Sequence, residues 1–423
     1  MQEISFPISS RCNLRCPSCS AEELLGKNKA QSLSLKFCEK IFSRIADQYG
    51  TNPTILLYGY SEPLFHPNIL GVLDLLQKYS LKGEISSNLN IPYNIAGFLS
   101  HPALKKFHVS LSGITQEIYT RGHEGGKIQQ VFKNLEKIEN HPDASKVNIK
   151  FHRYNDNKSD FIQFSEYAKR SSFQISPIVA IHMVGWNYLK NFIHSKQCTL
   201  PARSKKVLPR LIYSDIWKSS TSKIHADIPC PLQESTLFMD HHGDIYTCCV
   251  TGYAPELLIG NILKDNAEDI RAKRARLSIC KACKNTGFHA DRVLKEALYN
   301  DPDPECPGTI QQNWEKFLAE DSWDKSNPIY LYGAGWASKL LYHLLTEKGI
   351  RVLGFIDDDV SKQGKTLHGL KIFSPTEFDI QKVPDAEIVL FMIISKEKEN
   401  YLKERFYQQY GKRPITFHEY LQI

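Results

Sequence analysis

From residue 4 to about residue 190, short apolar segments alternate with longer amphipathic ones. This alternation limits the available folds more than any other feature of the chain. Ile4–Ile8, Thr54–Tyr58, Glu84–Ser87, Phe107–Leu111, Val147–His152 and Ile178–Met183 read as strands. Leu35–Tyr49 carries Phe37, Ile41, Ile45 and Ala46 on one helical face, and Ile69–Tyr79 and Lys127–Asn140 read as further helices. Strands that alternate with helices build a parallel sheet or barrel with its site at the strand C-termini. The expected class is α/β, with a partial (β/α) TIM-like barrel over residues 1–200.

The chain has 423 residues, too many for one ordinary core. Residues 201–324 are irregular and hold Cys230, Cys248, Cys249, Cys280 and Cys283, which suggests a small metal-organised α+β domain. Cys306 lies in a loop at residues 301–307 and reads as a plain thiol, with an added cluster ligand as the other reading. Residues 325–423 resume the alternation with Ile329–Tyr332, Ala337–Glu347, Val352–Ile356, Glu387–Ile394 and Lys398–Tyr410, and are expected to form a Rossmann-like α/β domain.

Hydrophobic residues make up 42% and charged ones 23%, which are globular values. No apolar run of about 18 residues exists, and the N-terminus lacks the pattern of a signal peptide. A cytoplasmic protein is expected, with its 11 cysteines reduced and the clustered ones serving as metal ligands. The net charge of +7 fits a modest basic excess or an anionic substrate. The basic stretch Arg203–Arg210 reads as a solvated linker. No nucleic-acid motif accompanies it, so neither nucleic acid nor membrane is an expected partner.

Cys12, Cys16 and Cys19, spaced C-x3-C-x2-C, lie in the loop after the first strand. Three thiolates on one short loop can hold three irons of a 4Fe–4S cube and leave the fourth open. A zinc site is the other reading, but zinc takes a fourth ligand and usually pairs two C-x2-C knuckles.

Further segments follow in order: Tyr58-Gly-Tyr-Ser-Glu-Pro-Leu64, Ser86-Ser-Asn-Leu89 and Val109-Ser-Leu-Ser-Gly113. With the cysteine loop, they resemble the radical S-adenosylmethionine (SAM) superfamily over about residues 1–200. The resemblance implies a SAM-binding 4Fe–4S cluster on Cys12, Cys16 and Cys19. It implies SAM contacts from Gly59, Tyr60, Ser61 and Glu62, with Glu62 accepting from the SAM ammonium. Ser87 and Asn88 would lie near the ribose, Ser110 and Ser112 on the following strand end, and Arg121 near the SAM carboxylate. Three positions depart from the family pattern. Tyr60-Ser61 replaces the second glycine region, Ser18 replaces an aromatic residue, and Ser112 stands where Asp is common.

Cys230, Cys248, Cys280 and Cys283 form a second set, and Gly243 permits the tight turn that returns Cys248 towards Cys230. Four thiolates suit one fully ligated 4Fe–4S cluster or one zinc. The order resembles the twitch domain, the shortened relative of the SPASM domain, which implies a single auxiliary cluster. Cys249 is spare. It reads as a hydrogen-atom donor to a carbon radical, a small buried residue, or an alternate to Cys248.

In the last domain, Gly333 and Gly335 belong to a G-x-G-x-x-S turn between strand and helix, where a phosphate can approach the helix N-terminus. Asp357 falls where a ribose-binding acid belongs. The domain resembles small Rossmann-like domains of sugar-modifying enzymes, which implies a nucleotide or nucleotide-sugar. A structural or docking role and a redox NAD role are the other readings.

The leading expectation is hydrogen abstraction from a carbohydrate or nucleotide-linked sugar by a 5′-deoxyadenosyl radical. The product would be oxidised or epimerised, in surface polysaccharide or secondary metabolite biosynthesis. The resemblance implies an electron donor of flavodoxin or ferredoxin type. A peptide maturase is the second reading, disfavoured because the chain starts directly at the barrel. A non-catalytic iron–sulfur or zinc protein that binds nucleotide is the third.

Overall fold

A computed structural model describes residues 3–21, 32–180, 182, 190, 202–211, 230–249, 252–285, 324–334, 338, 341–342, 345–346, 348–360, 362–378, 386–390, 396–411 and 414–416. The chain divides into two compact units. One comprises residues 1–214 and 229–282, the other residues 215–228 and 283–423.

The first unit is built on a nine-stranded sheet in the order β6-β5-β4-β3-β2-β1-β7-β8-β9. Its strands are β1 (Glu3–Ser5), β2 (Thr54–Leu56), β3 (Lys82–Ser87), β4 (Leu104–Leu111), β5 (Val147–Arg153), β6 (Gln174–Val179), β7 (Thr236–Met239), β8 (Asp244–Tyr246) and β9 (Leu258–Asn261). Strands β1 to β6 run parallel, and β7 pairs parallel to β1 on the other side. Strands β8 and β9 extend the sheet as an antiparallel meander. The sheet therefore continues through the point near residue 200 where the sequence pattern changes.

Helices cover one face. Leu35–Tyr49 starts at Ser34, whose hydroxyl accepts from the Phe37 amide at 3.2 Å, and ends at Gly50 with φ +71°. It buries Cys38, Ile41, Phe42 and Ile45. Ile69–Lys78 is capped by Asn68 and buries Ile69, Val72, Leu73 and Leu76. These pack with Ile4, Phe6, Ile55, Leu57, Ile85, Phe107, Val109, Ile149 and Phe151 in one core.

Buried parallel strands usually read as continuous apolar runs. Here they alternate, since Phe107, Val109 and Leu111 enter the core while His108 and Ser110 turn the other way. On β5, Val147, Ile149 and Phe151 alternate with Asn148, Lys150 and His152. The face away from the helices is therefore polar. It is also concave, because Lys150 on β5 reaches the Tyr58 hydroxyl beyond β2 at 3.4 Å, across β4 and β3.

Two expectations need correction. The sixth strand is Gln174–Val179 rather than Ile178–Met183, of which residues 181 and 183 lie outside the described residues. Its register on β5, Asn148 to Gln174 and Arg153 to Val179, fixes the earlier position. The segment read as a solvated linker contains a helix, Ala202–Val207, and Arg210 is held in place. The Arg210 guanidinium pairs with Asp156 at 2.9 Å and lies 4.4 Å from the Tyr154 ring centroid.

The second unit holds a six-stranded sheet in the order β12-β13-β11-β10-β14-β15. These are β10 (Ile329–Tyr332), β11 (Val352–Ile356), β12 (Thr366–Leu367), β13 (Leu370–Phe373), β14 (Glu387–Leu390) and β15 (Ile415–Thr416). All neighbours are parallel except β12 and β13. Setting β12 aside and counting from β10, the order is 3-2-1-4-5, as in doubly wound sheets.

Candidate functional site

The cysteine loop follows β1 at the C-terminal end of the parallel strands. Cys12, Cys16 and Cys19 are each partly buried, and none is in a disulfide. The Cys19 amide donates to the Cys16 carbonyl at 3.0 Å, and the Cys19 sulfur accepts from the Ala21 amide at 3.4 Å. Burial pushes the Cys12 thiol up to about 11, with the charges of Glu62 and Cys19 adding to the effect. Among the described residues, no group of three or more His, Cys, Asp or Glu side chains already stands in a metal-holding arrangement.

Three sequence segments converge beside this loop. Glu62, after β2, is 2% exposed. One carboxylate oxygen accepts from the Leu64 amide at 3.0 Å and the other from the Asn88 amide at 2.8 Å, after β3. The Glu62 amide donates to the Arg11 carbonyl at 2.7 Å. The Asn88 side chain donates to Cys12 sulfur at 3.7 Å and to Asn13 at 2.9 Å. Residues 11–13, 62 and 88 thus form one hydrogen-bonded patch. Burial pushes Glu62 up to about 7, against the amides that favour its ionised form.

Ser61 and Tyr253 have buried hydroxyls without partners. A Cβ at Gly59 would come within 3.1 Å of the Tyr253 hydroxyl, so residue 59 is tight against that orphaned group. Tyr60 is buried with Phe238 and Tyr246, and its hydroxyl donates to the Cys249 carbonyl. Orphaned hydroxyls, a buried carboxylate and three thiols on one loop are a donor set that fits a polar cationic cofactor beside an iron–sulfur cluster.

Other expected residues are engaged elsewhere. Ser87 is an exception: it is buried, its hydroxyl accepts from the Leu89 amide at 2.9 Å, and its side chain hydrogen-bonds the Glu62 carboxyl and favours the ionised form. Ser112 is fully buried and pairs with His123 Nδ1 at 2.6 Å. Arg121 bridges Glu117 at 2.5 Å and Asp156 at 3.0 Å. Ser110 stands on the concave face, in register with Lys150.

That face holds residues the sequence reading did not single out. His108 Nδ1 accepts from the Asn148 side-chain Nδ2 at 3.1 Å, and its Nε2–H donates to Glu84 at 2.9 Å. This is the pattern of a neutral imidazole, in keeping with the burial that lowers its pKa. Burial also opposes ionisation of Glu84, but His108 and the Lys105 ammonium outweigh it and hold the carboxyl well below its ordinary value. The signal was present in the sequence as polar residues at alternate positions of apolar parallel strands.

In the second cysteine set, Gly243 has φ +79° and its amide donates to the Asp240 carbonyl, closing the turn between β7 and β8. Cys230 precedes a short helix, Pro231–Ser235, and Cys248 follows β8. Cys280 and Cys283 lie on the helix Ser278–Asn285, and the Thr247 hydroxyl is 3.5 Å from the Cys280 sulfur. Arg274, 5% exposed, ties the Pro231–Ser235 helix and the start of β7 to the residue after β8. Its guanidinium donates to the carbonyls of Thr247, Gln233 and Thr236 at 2.7–3.1 Å. Burial lowers its pKa, and the nearby thiols of Cys248, Cys230, Cys280 and Cys249 act in the opposite direction.

In the second unit, Gly333 has φ +92° at the end of β10. Asp357 accepts from the Ala334 amide at 2.6 Å, the Asp359 amide at 2.8 Å and Lys362 at 3.1 Å. Its carboxylate therefore braces the turn. Gly335 and Cys306 lie outside the described residues.

No family model matches the chain, and no curated protein matches it. Among solved structures it is similar to "Native anSMEcpe with bound AdoMet" at 13% identity and TM-score 0.44, over 71% of this chain and 97% of that one. It is similar to BtrN in complex with AdoMet and 2-DOIA at 15% identity and TM-score 0.40, over 73% and 94%. It is also similar to Streptococcus suis SuiB bound to precursor peptide SuiA at 14% identity and TM-score 0.45, over 72% and 74%. Among the described residues, no helix is long and apolar enough to cross a membrane.

Proposed function

We propose that this chain is a radical SAM enzyme that abstracts hydrogen from a carbohydrate or nucleotide-linked sugar. The observation that carries the reading is the convergence of residues 11–13, Glu62 and Asn88 in one hydrogen-bonded patch. These residues come from three separate strand ends, and no core-packing need explains a buried carboxylate beside a cysteine loop.

Cys12, Cys16 and Cys19 would hold a 4Fe–4S cluster, and Cys230, Cys248, Cys280 and Cys283 a second one. Cluster and SAM together would supply a 5′-deoxyadenosyl radical after one-electron reduction. Glu62 would accept from the SAM ammonium, and its burial makes that charge pairing strong. Asn88 would orient the cysteine loop, and the orphaned Ser61 hydroxyl would meet a polar group of SAM. The concave polar face would hold the substrate, screened from water by the sheet and the loops at its rim.

The sugar reading draws on the second unit. Its 3-2-1-4-5 strand order and its glycine turn at the end of β10 suit a nucleotide phosphate, and a nucleotide-linked sugar would carry one. The domain division at about residues 200 and 325, a flavodoxin- or ferredoxin-type donor and a cytoplasmic setting belong to the same proposal.

Deuterium transfer into 5′-deoxyadenosine tests the substrate class. Label appearing from a deuterated nucleotide-sugar and not from a deuterated peptide is the expected result. Label arriving only from the peptide would replace the sugar reading with the maturase reading.

A further inference from the structure

Lys150 is a partly buried cation on the polar concave face. Its ammonium has one side-chain hydrogen bond, to the Tyr58 hydroxyl at 3.4 Å, and sits 5.2 Å from the Tyr58 ring centroid. No ion pair reaches it among the described residues. Glu84, the carboxylate that most raises its pKa, is already taken by His108 at 2.9 Å and Lys105 at 3.3 Å. A second acid, Glu3, acts on it in the same sense, and Lys106 acts against it. Burial outweighs the acids and lowers the ammonium to about 8.

A cation with only a phenol for company is costly to bury. Nothing in the helix-side core requires it, because Ile149 and Phe151 supply that packing from the same strand. Its neighbours in register are Ser110 on β4 and Ser176 on β6, both small hydroxyl residues that leave room above the sheet. Tyr58 immediately precedes the Gly59–Glu62 segment in the chain.

We propose that Lys150, with Tyr58, receives an oxyanion of the substrate, a phosphate or a carboxylate, on the concave face of the sheet. This rests on the reading of that face as the substrate chamber. The anion would complete the charge pairing that the chain itself leaves open. Ser110 would be the adjacent hydroxyl donor, whereas the Ser176 hydroxyl already donates to Asn148 Oδ1 at 3.0 Å. Lys150 is then a specificity residue that favours charged sugars over neutral ones.

Lysine acetylation of the anaerobically prepared full-length protein, read residue by residue by mass spectrometry, tests this directly. The probes are pyrophosphate, UDP-glucose, citrate and neutral glucose. Lys150 is expected to be labelled in the free protein and protected by at least one anionic probe, with no protection by glucose. Protection by pyrophosphate and UDP-glucose assigns the oxyanion to phosphate, and protection by citrate alone assigns it to carboxylate. Lys150→Arg should keep that probe's affinity within about threefold, and Lys150→Met should weaken it about tenfold or more. Equal labelling with and without every anion, or equal affinity in Lys150→Met, would overturn the proposal. Failure of SAM cleavage in the same preparation, with Lys150 still protected, would sink the radical reading and leave the anion site standing.

Discussion

Glu62 shows how one side chain can join distant segments. Replacing it by Gln keeps the acceptor for one backbone amide and removes the charge. SAM binding, measured by anaerobic equilibrium dialysis, should weaken about tenfold while the fold persists. Unchanged affinity would remove Glu62 from the SAM site. Arg274 makes four hydrogen bonds to carbonyls that have few alternatives in a buried setting. Arg274→Met should cost on the order of 3 kcal/mol in urea unfolding and lower iron retention at the second cysteine set. Neither Arg274 nor the Tyr60–Tyr253–Phe238 cluster was legible in the sequence. Arg274 sits in the charged segment Ala267–Arg276, where six of ten residues carry charge and one arginine looks like the next. Only the carbonyls it meets in the fold separate it from its neighbours.

Glu84 gives a pH dependence at the same scale. Its carboxyl is lowered in the folded protein, so its contribution to stability is present above the unfolded value near 4.5. That contribution is lost as pH falls from there towards the folded value. Acid unfolding followed by circular dichroism should be less steep between about pH 4.5 and 2 in Glu84→Gln than in the parent protein. An identical profile would mean that the His108 and Lys105 contacts do not hold the carboxyl.

At the scale of elements, sequence reading worked where one periodicity acted alone. Leu35–Tyr49 has the bounds expected of it, because its apolar face, Ser34 and Gly50 all agree. Strand β6 was misplaced because Ile178–Met183 is the more apolar run, whereas Ser176 and Ile178 answer to a polar face. Continuous apolarity was the wrong guide to a sheet with one wet side. The turn at Gly243 is a further element-scale test. Alanine there must adopt φ near +79°, and its Cβ would meet Ile262 and Ile41 at 3.0 Å. Gly243→Ala should lose about 1–2 kcal/mol from the left-handed conformation alone, read as a shift in urea midpoint. A neutral substitution would show that the β7–β8 turn relaxes freely.

For the whole molecule, the cysteine loop, the Glu62 segment and the Ser-Asn segment were legible as motifs, and folding brings them to one end of one sheet. Their hydrogen bonds were not legible, since they depend on strand order and register. The concave face was legible only after the sheet was known to be parallel and polar on one side. The central claim is that residues 12–19 hold a cluster that acts on SAM. Iron and sulfide content, followed by SAM cleavage under dithionite, tests it most directly when parent protein and Cys16→Ala are compared side by side. The account predicts about eight irons and 5′-deoxyadenosine from the parent, against about four irons and no cleavage from Cys16→Ala. Cleavage that survives in Cys16→Ala, or a fully loaded parent that leaves SAM intact, would contradict it.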